Sequence, residues 1–266
     1  MRIALIADTH LSPRAPVCVA NWHAAARAVQ RLGADLTVHL GDITLDGQSH
    51  PSELGFAATL AEHWPTPVQF LPGNHDLGDG SGERALDHQR RQAYSDVFGP
   101  DRWAVDADRW RVLGVDAQLL GSNSSQEEGL WEWLNTQTSD PDGPPHVALM
   151  LHRPLHRPSP SEMHRIGRYV CRAACARLLE GPLASKLRLV VSGHTHQYLD
   201  VTIADVRHLW MPSAAFVIPD ALQARVGEKV VGIGLLEIEG DAARFDLLCP
   251  DGVLRHDLST LAFERE

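Results

Sequence analysis

The chain has 266 residues, 24 Lys and Arg against 34 Asp and Glu for a formal charge of −10, and 44% hydrophobic residues. That length and apolar content fit one large folded domain and exclude intrinsic disorder. The acidic balance excludes binding to a nucleic acid polymer through its phosphates and excludes a polybasic membrane contact.

From its N-terminus the chain opens directly on a strand-like run, Ile3 to Ala7, with no basic segment followed by an apolar stretch, so a cytoplasmic protein is expected. Helical spacing over Val19 to Leu32 predicts a helix that stops at Gly33, and a second strand follows over Leu36 to Leu40. A helix capped at Ser52 ends before Pro65, and a third strand covers Val68 to Leu71. Then come a helix over Glu83 to Val97, a strand over Arg111 to Val115, a helix over Gln126 to Asn135 and strands over Val147 to Leu151 and Leu187 to Val191. Between the last two strands a helix is expected over Glu162 to Leu179, with Cys171 and Cys175 as small apolar residues on its buried face. With Cys18 and Cys249 they are too scattered for a secreted disulfide framework, and reduced thiols are expected. Trp131 and Trp133 read as core packing. Strand–helix alternation predicts an α/β sheet with helices on its faces. After Gly193 the pattern turns β-rich, with segments Tyr198 to Ile203, Arg207 to Met211, Val230 to Ile238 and Ala243 to Leu248, which predict an antiparallel sheet packed onto the first. The whole chain, 1–266, is expected to form one domain whose last third, about 197–266, is β-rich. No apolar run approaches the roughly 18 residues of a membrane span.

The chemically informative residues follow the predicted strands, where the loops of an α/β sheet gather their functional groups. Asp8 and His10 follow the first strand, Gly41-Asp42 the second and Gly73-Asn74-His75-Asp76 the third; His152 ends the fifth, and Gly193-His194-Thr195-His196 follows the sixth. Taken singly, each is an ordinary helix cap or turn residue. Together, five loops supply carboxylate, imidazole and amide groups in a chain that carries 15 His. Oxygen and nitrogen donors without thiolate suit Mn(II), Fe(II), Zn(II) or Co(II). The donors exceed what one catalytic zinc needs, and two ions fit better, clamping a phosphate and supplying the attacking hydroxide.

In this order the blocks Asp8-x-His10, Gly41-Asp42, Gly73-Asn74-His75-Asp76, His152 and Gly193-His194-x-His196 resemble the signature of the calcineurin-like metallophosphoesterases, over residues 8 to 196. The resemblance implies a four-layer α-β-β-α sandwich of two mixed sheets flanked by helices, with a dinuclear site at the strand ends. It implies that Asp8, His10 and His196 hold a first ion, that Asn74, His152 and His194 hold a second, and that Asp42 bridges both. It assigns His75 to protonation of the leaving oxygen; beside it, Asp76 or Asp46 either accepts the hydrogen bond that orients this ring or is a turn residue. Protein phosphatases of the family carry an arginine shortly after the Gly-Asp block, whereas this chain reads Ile43-Thr44-Leu45-Asp46-Gly47. The stretch from Gly41 through the Leu71-Pro72-Gly73-Asn74-His75-Asp76 block most resembles the bacterial cyclic-nucleotide phosphodiesterase and glycerophosphodiesterase branch, which implies a small phosphodiester as substrate. Alternatives are a phosphomonoesterase or nucleotide pyrophosphatase on the same metal core, and a metal-stabilised scaffold without turnover. Arg153, His156 and Arg157 lie beside a predicted ligand, where they either contact a leaving group or form a solvated turn.

Overall fold

A computed structural model of the chain describes residues 1–78, 88–158, 162 and 167–263. Two mixed sheets pack face to face. The first holds β1 (Arg2–Ile6), β2 (Leu36–His39), β3 (Val68–Phe70), β11 (Ile233–Glu239) and β12 (Ala242–Leu248), in the order β12-β11-β1-β2-β3. The second holds β4 (Trp103–Ala107), β5 (Trp110–Val115), β6 (His146–Leu151), β7 (Leu187–Ser192), β8 (Leu199–Ile203) and β9 (Val206–Trp210), in the order β4-β5-β6-β7-β9-β8. Strands β1, β2 and β3 run parallel in one sheet, and β5, β6, β7 and β9 in the other.

Alternation along β1 explains the layering. Ile3, Leu5 and Ala7 face the second sheet, meeting Val112, Ala148, Met150, Leu189 and Val191. Ala4 and Ile6 face outward onto Trp22 and Ala25 of α1 (Pro16–Leu32). On the second sheet Val147, Leu149 and Leu151 turn outward onto Leu130 and Leu134 of α5 (Ser125–Thr138) and Leu178 of α6 (Arg172–Glu180). Because both faces of β1 and β6 are covered, Ile3–Ile6 and Val147–Leu151 are continuous apolar runs rather than alternating ones. The expected α-β-β-α sandwich is therefore the fold, with α1, α2 (Ser52–Ala61) and α4 (His88–Phe98) outside the first sheet and α5 and α6 outside the second.

Local chemistry sets the helix ends. Pro16 starts α1, where its missing N–H is no loss, and Gly33 ends it in the left-handed conformation at φ +61°. The Ser124 hydroxyl accepts the Glu127 N–H at 3.2 Å and caps α5. Trp131 packs in the outer core and Trp133 lies against it, as expected.

Several expectations need correction. Of the helix expected over Glu162 to Leu179, the part from Gly167 onward is helical only from Arg172, in α6 (Arg172–Glu180), because Gly167 stands at φ +82° and Cys171 is extended; residues 163–166 lie outside those described. Cys171 is consequently exposed, and only Cys175 is buried. The helix expected over Glu83 to Val97 is α4, whose predicted first residues lie outside those described. The separate C-terminal antiparallel sheet does not form: β8 and β9 complete the second sheet, while β11 and β12 pair onto β1 of the first. Between β6 and β7 the register slips, so that Val147 and Ala148 pair with Leu187 and Leu189. The extra residue, Arg188, switches the phase of β7 and lets both Leu187 and Leu189 be buried on opposite sides.

Candidate metal centre

The loops after β1, β2, β3, β6 and β7 meet at the rim between the two sheets. Main-chain bonds zip the first two together: Asp8 N–H donates to Gly41 O at 3.0 Å, His10 N–H to Asp42 O at 3.1 Å and Leu11 N–H to Ile43 O at 2.7 Å. Within the second sheet Gly193 N–H donates to His152 O at 3.0 Å, and across the sheets His194 N–H donates to the Asp8 carboxylate at 3.0 Å. The motif glycines permit this approach. A Cβ on Gly73 would overlap the backbone nitrogen and carboxylate of Asp42, and one on Gly193 would lie 2.8 Å from Asp8 Oδ2.

Five donors sit in the left-handed backbone region that side chains rarely adopt: Asp8 at φ +52°, His10 at +47°, Asp42 at +50°, His194 at +69° and His196 at +52°. Each costs about 1 kcal/mol against an ordinary conformation. The loops around them hold the backbone there.

The side chains converge. His10 Nε2 lies 3.1 Å from His196 Nε2, and Asp8 Oδ1 lies 3.6 Å from His196 Nε2. His152 Nε2 lies 3.1 Å from His194 Nδ1, 3.2 Å from Asn74 Oδ1 and 3.3 Å from Asp42 Oδ1. Ligand atoms of Asp8, His10 and His196 fall within 4.8 Å of one another, as do those of Asp42, His152 and His194, and those of His10, Asp42 and His75. Asp42 is thus shared between the two sides. The outer nitrogens explain which atoms face inward: His152 Nδ1–H donates to Leu40 O at 2.8 Å and His196 Nδ1–H to Phe216 O at 3.1 Å. In a neutral imidazole this leaves the Nε2 lone pair pointing into the centre, the arrangement that metal-ligating histidines use.

Burial dominates the electrostatics. It pushes His10 and His194 well below the usual histidine range, and His196 down to about 4, so all three favour the neutral form that binds metal. For His152 burial acts the same way, but Asp42, hydrogen-bonded to it, and Asp8 outweigh it and raise the group to about 9. Burial, helped by Asp42, raises Asp8 well above the carboxylate range, whereas around Asp42 the histidines His152, His75 and His10 outweigh burial and hold it well below. Two buried carboxylates, one amide oxygen and four imidazole nitrogens facing one another fit divalent cations of the borderline class.

His75 joins the cluster edge-on to His10, at 4.8 Å between ring centroids. Neither acceptor expected for it is correct: His75 Nδ1–H donates to Leu45 O at 2.6 Å. Asp46 lies 3.8 Å from His50 instead. Asp76, fully buried, accepts from Gly73 N–H at 2.8 Å, Ile43 N–H at 3.1 Å, Thr44 N–H at 2.9 Å and the Thr44 hydroxyl at 2.7 Å, and so ties the Asp42 loop to the Asn74 loop. A single helical turn, α3 (Asn74–Leu77), turns the carboxylate away from the neighbouring ring. Arg157 donates to Val170 O at 2.6 Å and stacks over Tyr169 at 5.1 Å, and His156 packs 5.7 Å from His208. Arg153 is buried, and its charge lowers the His194 pKa. Leu45 and Phe216 escape sequence reasoning because a main-chain acceptor has no side-chain signature. His39 does too: its Nδ1 accepts Gly41 N–H at 3.2 Å, and its Nε2–H donates to the Thr9 hydroxyl at 2.9 Å, bracing two site loops from behind.

A family model described as calcineurin-like phosphoesterase matches residues 1–198. No curated protein sequence matches the chain. Among solved structures, a dimetal phosphatase from Danio rerio is similar at 15% identity, TM-score 0.59, over 93% of this chain and 95% of that one. A purple acid phosphatase from yellow lupin is similar at 14% identity, TM-score 0.65, over 89% of this chain and 49% of its own, so the chain spans about half of that protein. GAP50, the anchor in the inner membrane complex of Plasmodium, is similar at 14% identity, TM-score 0.66, over 93% of this chain and 84% of that one. At such identities the likeness shows the fold alone. No helix among the described residues is long and apolar enough to cross a membrane.

Proposed function

The chain belongs to the calcineurin-like phosphoesterase family, and from that membership we propose that it hydrolyses a small-molecule phosphodiester, a 3',5'-cyclic nucleotide or a glycerophosphodiester, at a pair of divalent cations. One observation carries the reading: donors from five loops converge on one point, with the outer Nδ1 of His152 and of His196 tied to a backbone carbonyl so that Nε2 of each faces inward. Asp8, His10 and His196 would hold one ion and Asn74, His152 and His194 the other, with Asp42 between them. Bound there, the ions supply Lewis acidity toward the phosphoryl oxygens and a nucleophile at neutral pH.

The chain's own residues do the rest. The Leu45 carbonyl accepts the Nδ1–H of His75, which leaves Nε2 as the atom from which a proton would pass to the leaving oxygen. Asp76 fixes the distance between Asp42 and the Asn74-His75 pair through its four accepted hydrogen bonds. Preference for a diester rests on charge. No arginine stands in the stretch Ile43 to Gly47 that follows Asp42, and Arg157 is engaged with Val170 and Tyr169, which leaves the buried Arg153, whose charge reaches His194, as the cation beside the His194 side of the centre. A phosphate dianion gains more from an added cationic clamp than a diester monoanion does, so this site disfavours a monoester relatively more. Strands from the last third complete both sheets, which supports a single domain over 1–266.

The test is a substrate panel on Mn(II)-reconstituted protein. Bis(p-nitrophenyl) phosphate should show a higher kcat/KM than p-nitrophenyl phosphate, and a 3',5'-cyclic nucleotide should release a 5'-monophosphate. A strong monoester preference with no hydrolysis of cyclic or glycerol diesters would make the enzyme a phosphomonoesterase on the same centre.

A further inference from the structure

His10 differs from three of the inward-facing histidines. His152, His196 and His75 each donate their outer Nδ1–H to a backbone carbonyl, whereas Nδ1 of His10, buried, has no hydrogen-bond partner among the described residues. Something else must set its ring plane. Phe216 lies stacked on it, with centroids 4.9 Å apart and planes at 29°, and His75 closes the edge-on side. The same Phe216 ring lies 4.9 Å from His196, and the Phe216 carbonyl accepts the His196 Nδ1–H. One residue therefore touches both histidines of the Asp8 side, and none of its recorded contacts reaches His152 or His194.

Phe216 is itself pinned. It is 4% exposed and begins the two-residue strand β10 (Phe216–Val217), which pairs in parallel with β13 (His256–Asp257). Phe263 lies 6.2 Å from its ring, and Leu258, Leu261 and Leu45 complete the apolar cluster around it. Leu45 is also the residue whose carbonyl orients His75. All of the C-terminal part of this cluster lies beyond the residues that match the family model.

We propose that Phe216 is a positioning residue for the ion held by Asp8, His10 and His196, substituting ring stacking for the missing hydrogen bond of His10, and that the C-terminal segment 256–263 acts on that ion by holding Phe216 in place. The inference rests on the dinuclear reading given above.

Two-step calorimetric titration of the metal-free full chain with Co(II) tests it, the step that disappears in His196→Ala marking the ion in question. Outer partners of metal ligands are generally worth about 10- to 100-fold in affinity. Phe216→Leu should weaken the marked step at least tenfold and leave the other step within about twofold, while Phe216→Tyr, which keeps the ring, should restore it. Equal weakening of both steps, or no change in the marked one, overturns the assignment, since lost packing alone has no reason to select one ion. Phe263→Ala, which touches no donor, should weaken the same step by threefold or more, and it decides the matter if Phe216→Leu does not fold. A parent protein that binds no pair of ions overturns the dinuclear reading itself and this inference with it.

Discussion

Asp76→Asn is nearly isosteric and changes only hydrogen-bond polarity, so its effect can be worked out bond by bond. The carboxylate accepts Thr44 N–H and the Thr44 hydroxyl on one oxygen, and Gly73 N–H and Ile43 N–H on the other. An asparagine that keeps the Thr44 pair must turn its NH₂ toward the two remaining N–H groups. Two bonds are lost and two buried amides are left facing a donor, at roughly 1–3 kcal/mol each. No cavity forms, so no packing loss adds to this. We expect a net cost of about 3 kcal/mol, which at roughly 2 °C per kcal/mol for a chain of this size lowers Tm by about 6 °C. Because the broken bonds join the Asp42 loop to the Asn74 loop, metal content should fall as well. Differential scanning fluorimetry and elemental analysis measure the two effects. An Asp76→Asn protein that melts within about 2 °C of the parent and retains its full metal complement would refute the role assigned to Asp76.

Asp42→Ala removes the one carboxylate shared by both sides of the centre, and elemental analysis should show at least one ion lost together with nearly all turnover; two retained ions and substantial activity would contradict the shared position. His75→Ala should keep both ions but slow turnover by about 10²- to 10⁴-fold, with the loss shrinking for p-nitrophenyl relative to alkyl leaving groups; an equal loss for both would make His75 a phosphate-positioning group. Burial, followed by the influence of His152, depresses His39 to about 3, so between that value and its unfolded value near 6.5 the unfolded chain binds the extra proton and stability falls as pH falls. At pH 5 this group alone costs about 2 kcal/mol, and thermal melts of metal-free protein from pH 7.5 to 5 should show Tm dropping; a flat profile contradicts a buried neutral His39.

What could be read from the sequence follows the physics of each element. β1 and β6 are legible because strands covered on both faces are written as near-continuous apolar runs, and β2 and β7 remain legible although Thr37, His39 and Arg188 interrupt them. β4 is not: Trp103-Ala104-Val105-Asp106-Ala107 alternates buried and exposed positions at a sheet edge and carries no such run. β10 and β13 are two residues long and leave no periodicity. At the centre, the side-chain donors stand out because each follows a strand, and Asp42, Asn74 and His194 directly follow a glycine. The groups that aim them, the carbonyls of Leu40, Leu45 and Phe216, belong to the backbone that every residue has. Asp76 misleads for a related reason: adjacency in sequence suggests a partner for His75, but one helical turn sends the carboxylate toward the amides behind it.

The five left-handed donors have a consequence for how this protein can change over generations. At about 1 kcal/mol each, their combined strain is a substantial part of the 5–15 kcal/mol by which folded domains typically outlast their unfolded chains. Glycine at Asp8, His10, Asp42, His194 or His196 would relax the backbone and abolish a donor in one step. Selection for chemistry and selection for robustness therefore pull in opposite directions at the same five codons. A lineage that no longer needed turnover would be expected to drift toward relaxed residues there first, keeping the sandwich and losing the centre, and a His194→Gly protein that melts no lower than the metal-free parent would show that gradient directly.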